Sequence, residues 1–180
     1  MDRISDESRM NTSLVMTIIG PDRPGLVESL ATIVAENRGN WLESRMSHLA
    51  GQFAGILRVE VSDADSEALV AALVALESEG LRMTTAANVR ETAPGARDCV
   101  ELELVGQDRP GIVKEIARGL AERGVNVEEL HTECVSAPMS GERMFKARAR
   151  LRIPADLSLD ELRSELEKIA SDLMVDVTLD

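Results

Sequence analysis

Two copies of one loop sequence hold the residues best suited to chemistry in this chain. Residues 20–25 read Gly-Pro-Asp-Arg-Pro-Gly and residues 106–111 read Gly-Gln-Asp-Arg-Pro-Gly, each between an apolar run and a stretch of helical periodicity. The N–H groups at the start of such a helix, at the positive end of its dipole, can hold a carboxylate. Gly25 and Gly111 have no Cβ, so a ligand can approach the backbone closely. The repeat therefore predicts a duplicated anion-binding loop.

The same residues also suit a simple turn into a helix. Asp22 and Asp108 can cap the first helical turn through a side-chain oxygen. Pro24 and Pro110 suit that turn because they lack an N–H that it would leave unpaired. Capping tolerates many sequences, so two nearly identical copies favour a function in addition to capping.

A basic stripe near the end of the chain has two interpretations. Its members alternate along a predicted strand and so share one face of it: Lys146, Arg148, Arg150 and Arg152. An RNA-binding sheet would also offer aromatic rings for base stacking, but the chain has no Tyr, one Trp and two Phe. Carboxylates on the neighbouring strands can pair with the stripe instead: Glu101, Glu103, Glu129 and Glu133. We therefore expect a paired charged surface.

No catalytic or metal-binding constellation stands out. His48 and His131 are the two histidines, and neither has a second His or Cys at ligand spacing. Cys99 and Cys134 make neither a disulfide framework nor a zinc pattern. No nucleophile–base pair or acidic pair rises above the charged background. The sequence predicts a protein that is not an enzyme and that has no metal and no cofactor.

Composition limits the class of partner. The chain has 180 residues, 44% of them apolar, which is typical of a globular protein. Its net charge of −12 repels phosphate and argues against direct binding to nucleic acid or anionic lipid. The first residues are polar, and no run approaches the roughly 18 apolar residues of a membrane span. We expect a cytoplasmic protein.

Apolar periodicity predicts the same order of elements twice. Each half reads strand, helix, strand, strand, helix, strand, which is the ferredoxin-like βαββαβ unit of an α+β protein. Right-handed crossovers then give two antiparallel four-stranded sheets in the order 4-1-3-2, with the helices on one face. The predicted divisions are a disordered tail (1–11), a first domain (12–89), a linker (90–98) and a second domain (99–180). The open sheet edges predict association within the chain or into a homo-oligomer.

With these features the chain resembles a tandem pair of ACT domains, and more closely the glycine cleavage system transcriptional repressor family. The likeness covers residues 14–179. It rests on the βαββαβ units, the Asp-Arg-Pro-Gly loops, the asparagines Asn40 and Asn126 after each first helix, and the Gln-Phe-Ala segment at 52–54.

The resemblance implies a regulator that senses a small amino acid, such as glycine, and acts by contacting a transcription factor. In similar domains the ligand lies between the first loop and the start of the second strand of a neighbouring unit. The ligand-binding residues implied in this chain are Asp22, Arg23, Gly25, Asn40, Asp108, Arg109, Gly111 and Asn126. Gly39 precedes Asn40 whereas Val125 precedes Asn126, so the two sites need not be equivalent. A regulatory subunit of an amino-acid metabolic enzyme is the alternative.

Overall fold

A computed structural model describes residues 11–87, 99–137 and 141–180, and the chain divides into two units, Met1–Thr92 and Ala93–Asp180. The first unit contains, in chain order, β1 (Asn11–Pro21), α1 (Leu26–Glu36), β2 (Asn40–Leu49), β3 (Gln52–Ser62), α2 (Asp63–Val74), a 3₁₀ helix (Ala75–Glu79) and β4 (Arg82–Ala87). The second contains β5 (Cys99–Gln107), α3 (Ile112–Glu122), β6 (Asn126–Ser136), β7 (Arg143–Arg152), α4 (Leu159–Leu173) and β8 (Val175–Leu179). The predicted tail and linker lie outside the described residues, apart from Asn11, where β1 begins.

Each unit has the predicted sheet topology. The strand orders are β2-β3-β1-β4 and β6-β7-β5-β8, and every pairing is antiparallel. The two strands joined by a hairpin lie on one side of the sheet, and the first strand is central. The ferredoxin-like prediction is therefore confirmed.

The alternation of burial along the central strands explains why each sheet has one covered face. In β1, Leu14, Met16 and Ile18 are at most 2% exposed, while the residues between them are half-buried or exposed. The buried residues join the apolar residues of α1 and α2 in one core, and the second unit has a separate core of its own. Burying such a set of side chains is the main force that holds each unit together.

No helix in the described ranges is long and apolar enough to cross a bilayer.

Candidate functional site

Both predicted loops end in a glycine whose backbone conformation disfavours most residues with a Cβ. Gly25 and Gly111 are the N-terminal caps of α1 and α3, with φ angles of 88° and 101°, and neither helix has a side-chain cap. Positive φ costs a residue with a Cβ about 1–2 kcal/mol. The prediction that Asp22 and Asp108 cap these helices is wrong, because the backbone turns at the glycines instead. Pro24 and Pro110 likewise precede the glycine caps and lie outside the first helical turn.

The two aspartates fasten the loops to the neighbouring hairpins. The Asp22 N–H donates to the Gly51 carbonyl at 3.0 Å, and the Asp108 N–H donates to the Arg143 carbonyl at 2.9 Å. The carboxylate of Asp22 lies 3.7 Å from His48 Nε2, and that of Asp108 lies 3.3 Å from Arg143 Nη2. Each aspartate therefore fastens its loop to the hairpin of the same unit and makes no capping hydrogen bond.

The loop backbone leaves room and donors for a ligand. A Cβ built on Gly25 or Gly111 would meet no atom within 4 Å. The first intrahelical N–H donors are Ser29, bonded to the Gly25 carbonyl, and Glu115, bonded to the Gly111 carbonyl. The three preceding N–H groups of each helix have no intrahelical acceptor. Each loop thus presents open space beside free donors at the positive end of a helix.

The arginines of the two loops differ in their surroundings. Arg23 forms an ion pair with Glu79, the last residue of the 3₁₀ helix, and both side chains are 46% exposed. The guanidinium charge of the first loop is therefore already neutralised within the unit. The partnership joins residues 56 positions apart, so the local sequence gives no sign of it.

Arg109, in the second loop, has two buried nitrogens without a partner. Its Nε and Nη2 atoms are shielded from solvent, and neither has a hydrogen-bond acceptor in the parts of the chain that the structure describes. These two atoms form one edge of the guanidinium plane, the edge that grips a carboxylate through two parallel hydrogen bonds. Leaving a buried donor unpaired costs about 1–3 kcal/mol, and more when the group is charged. A carboxylate placed at this edge would satisfy both donors.

The structure does not bring the asparagines to the loop of their own unit. Asn126 pairs across the sheet with Arg152, which pairs with Cys99 at the start of β5. The loop follows Gln107 at the other end of this nine-residue strand, so about 25 Å separates it from Asn126. Asn40 is placed in the same way in the first unit. An amino acid bound at one loop can therefore contact only an asparagine that belongs to a different unit.

The two strand starts also differ chemically. The register between β2 and β3 shifts between Trp41 and Glu43, and the register between β6 and β7 shifts between Val127 and Glu129. The residue at this irregularity is Leu42 in the first unit, which is 42% exposed.

In the second unit the corresponding residue is Glu128, which joins two other side chains. It accepts a hydrogen bond from Asn126 Nδ2 at 2.5 Å and pairs with Arg152 Nη2 at 2.9 Å. The Asn126 amide is thereby oriented, and its carbonyl oxygen is left to accept a hydrogen bond.

The basic stripe on β7 is a paired charged surface, as predicted. Arg148 Nε lies 2.7 Å from Glu103 Oε1, and Arg150 Nη2 lies 2.6 Å from Glu129 Oε1. Arg152 pairs with Glu128, a partner that the sequence interpretation did not include. Three of the four cations therefore have carboxylates beside them, which reduces their attraction for phosphate.

Comparison with known proteins places the fold in a family. ACT domain models match residues 12–86 and 100–170. The UPF0237 protein MK1213 of Methanopyrus kandleri is 37% identical over 54 residues, which span 30% of this chain and 60% of that protein. The crystal structure of an unknown protein from Galdieria sulphuraria has a TM-score of 0.85 and 30% identity, covering 95% of this chain and 98% of the other.

A second crystal structure, of a protein provisionally assigned as a glycine cleavage system transcriptional repressor, has a TM-score of 0.70. The two chains are 19% identical, and the match covers 95% of this chain and 97% of the other. This likeness supports the fold. The two family matches take in most of the chain. The chain belongs to the ACT-domain family, as a tandem pair of ACT domains.

Proposed function

We propose that this chain is an amino-acid-sensing regulatory protein, not an enzyme, that acts on a transcription factor by direct contact. The observation that carries the proposal is the pair of glycine-capped loops, each with open space beside the unpaired donors of a helix start. A small amino acid, glycine or a similar one, offers a carboxylate that fits this arrangement.

The charge distribution supports contact with a protein in preference to contact with DNA. A chain of net charge −12 repels a phosphate backbone. The stripe that could have formed a basic face has carboxylates beside three of its four members. A regulatory subunit of an amino-acid metabolic enzyme is the second candidate, because the same loops would serve a sensor attached to an enzyme.

Ligand binding is tested first by thermal unfolding against each of the twenty amino acids. A compound that binds only the folded chain stabilises it by about 2.7 kcal/mol at 100 times its Kd. For units of this size, that shifts Tm by about 10 °C or more. A positive shift confirmed by calorimetry is the expected result. Unchanged Tm values with all twenty at millimolar concentration would contradict amino-acid sensing.

The partner is tested by capturing proteins on the tagged full chain, with and without the amino acid that binds. The proposal predicts a partner that carries a DNA-binding domain and whose retention changes with the amino acid. Retention of an enzyme of amino-acid metabolism would favour the second candidate.

Association of two copies is a further part of the proposal. A groove between α3 and β6 is lined by apolar side chains, and Val113, Val127 and Leu130 on its rim are 45%, 38% and 53% exposed. Exposed apolar surface beside an open strand edge favours self-association.

We expect the wild-type chain to sediment as a dimer or larger species and Leu130→Glu to sediment as a smaller one. Leu49→Glu is the matched control, because Leu49 is 78% exposed and lies on the other unit. A wild-type chain that stays monomeric at high concentration would contradict this part of the proposal.

A further inference from the structure

We propose that Arg109 binds the carboxylate of the amino acid and that the second loop alone has a cation available for this purpose. The inference rests on the proposed function and adds to it the anchoring residue and the number of carboxylate sites in a chain. In the first loop, Arg23 is already paired with Glu79, whereas the Nε and Nη2 edge of Arg109 has no partner within the described residues.

The difference between the loops follows from one residue that differs between equivalent positions of the two units. In both units the first glycine of the loop packs against the segment that leads into the last strand. A Cβ on Gly20 would lie 2.8 Å from the Gly80 carbonyl, and one on Gly106 would lie 2.4 Å from Val175 Cγ1. Gly80 and Met174 end the preceding helical segments with positive φ angles of 89° and 52°. Gly80 therefore corresponds to Met174.

The residue that precedes Gly80 or Met174 decides whether the loop arginine has a partner within its own unit. In the first unit it is Glu79, which pairs with Arg23. In the second unit it is Leu173, which is half-buried and packs against the core. A leucine has no acceptor to offer, so Arg109 keeps the donors that Arg23 has used.

The geometry of a guanidinium suits the assigned role. Its Nε and Nη2 donors are fixed in one plane and match the two oxygens of a carboxylate. Lysine cannot reproduce this grip, because its ammonium is a single point of charge on a flexible stem. Since both nitrogens are covered in the unliganded chain, a ligand must displace the atoms over them. Binding is therefore coupled to a local movement at this site, as a sensor requires.

The test compares binding of each of the twenty amino acids, and of the amides of those that bind, by titration calorimetry. We expect one carboxylate site per chain and a strong preference for the acid over its amide. Arg109→Met should weaken binding of the acid about 10- to 100-fold and reduce the preference. Arg109→Lys should recover only part of the affinity. Arg23→Met is the matched control in the other unit and should change affinity less than about threefold.

Exchanging Leu173 or Glu79, the residues before Met174 and Gly80, gives an independent test. Leu173→Glu should supply Arg109 with an internal carboxylate and weaken binding of the acid. Leu173→Gln makes a similar change in size and burial without the charge, so it should leave affinity near that of the wild type. Glu79→Leu should release Arg23 and raise the number of bound acids per chain from one towards two.

The outcomes separate this inference from the function on which it rests. If none of the twenty amino acids binds, both are wrong. If an acid binds and Arg109→Met leaves its affinity and its preference over the amide unchanged, the sensing function stands and the role of Arg109 is overturned. Thermal unfolding distinguishes a structural role, because the unpaired edge predicts that Arg109→Met is at least as stable as the wild type. A large loss of stability together with loss of binding would overturn the inference.

Discussion

Gly106→Ala is expected to destabilise the second unit by about 3 kcal/mol. The added Cβ would lie 2.4 Å from Val175 Cγ1, 2.8 Å from its Cβ and 2.9 Å from its Cα. The Cα belongs to the backbone of β8, so rotating a side chain cannot relieve the contact. Overpacking of this kind costs about 1–3 kcal/mol, and the upper end applies where backbone must shift. Urea unfolding of the full chain measures the loss.

A neighbouring substitution provides the control for this result. Gln107→Ala changes the next residue along β5, whose side chain is exposed, and should alter the free energy of unfolding by less than about 0.5 kcal/mol. Gly20→Ala should destabilise the first unit for the same reason, since its Cβ would lie 2.8 Å from the Gly80 carbonyl. If Gly106→Ala costs no more than Gln107→Ala, the close contact between β5 and β8 is wrong. The expected losses at Gly20 and Gly106 would show that the first glycine of each loop is required for packing.

The elements of this fold could be predicted because they are encoded locally. The apolar run before each loop lies in a central strand, Asn11–Pro21 or Cys99–Gln107. The stretch of helical periodicity after each loop lies on a helix, Leu26–Glu36 or Ile112–Glu122. In each case a period of two or of 3.6 residues marks which side chains meet the core. The strand order then follows from the handedness of two crossovers.

The chemistry of the loops could not be read in the same way, because it depends on contacts that are distant in sequence. Asp22 and Asp108 have the type of a helix cap, yet each loop turns at a glycine and each aspartate meets a hairpin. Nothing near Arg23 in the sequence points to Glu79.

The sequence also does not show which positions of the two halves are equivalent. Loops that repeat at an offset of 86 residues do not predict that position 79 corresponds to position 173. The β6–β7 connection is longer than the β2–β3 connection, and a 3₁₀ helix follows α2 but not α4. The packing of Gly20 and Gly106 and the left-handed helix ends at Gly80 and Met174 reveal the correspondence.

Gly111→Val is expected to destabilise the second unit by about 2–3 kcal/mol although the site has ample room. No atom lies within 4 Å of the added Cβ, so the cost is conformational and arises from the φ angle of 101°. A β-branched residue is a rare outlier at positive φ, with a cost of about 1–3 kcal/mol. Gly111→Asn should cost less than about 1 kcal/mol, because asparagine tolerates this region. Urea unfolding of both variants separates strain from crowding, and equal losses would contradict a purely conformational cost.

Gly111→Asn then isolates the effect of a side chain on ligand binding in a chain that still folds. Its Cβ would project into the open space beside the free N–H donors of α3, where a bound carboxylate would lie. We expect affinity for the amino acid to fall about tenfold, a difference of about 1.4 kcal/mol. Gly25→Asn places the same atoms on a loop whose arginine is already paired with Glu79. Calorimetry should therefore show that this variant binds the amino acid with unchanged affinity. A loss with Gly25→Asn and none with Gly111→Asn would move the carboxylate site to the first unit, because both variants place the same side chain at a positive φ angle beside a helix start.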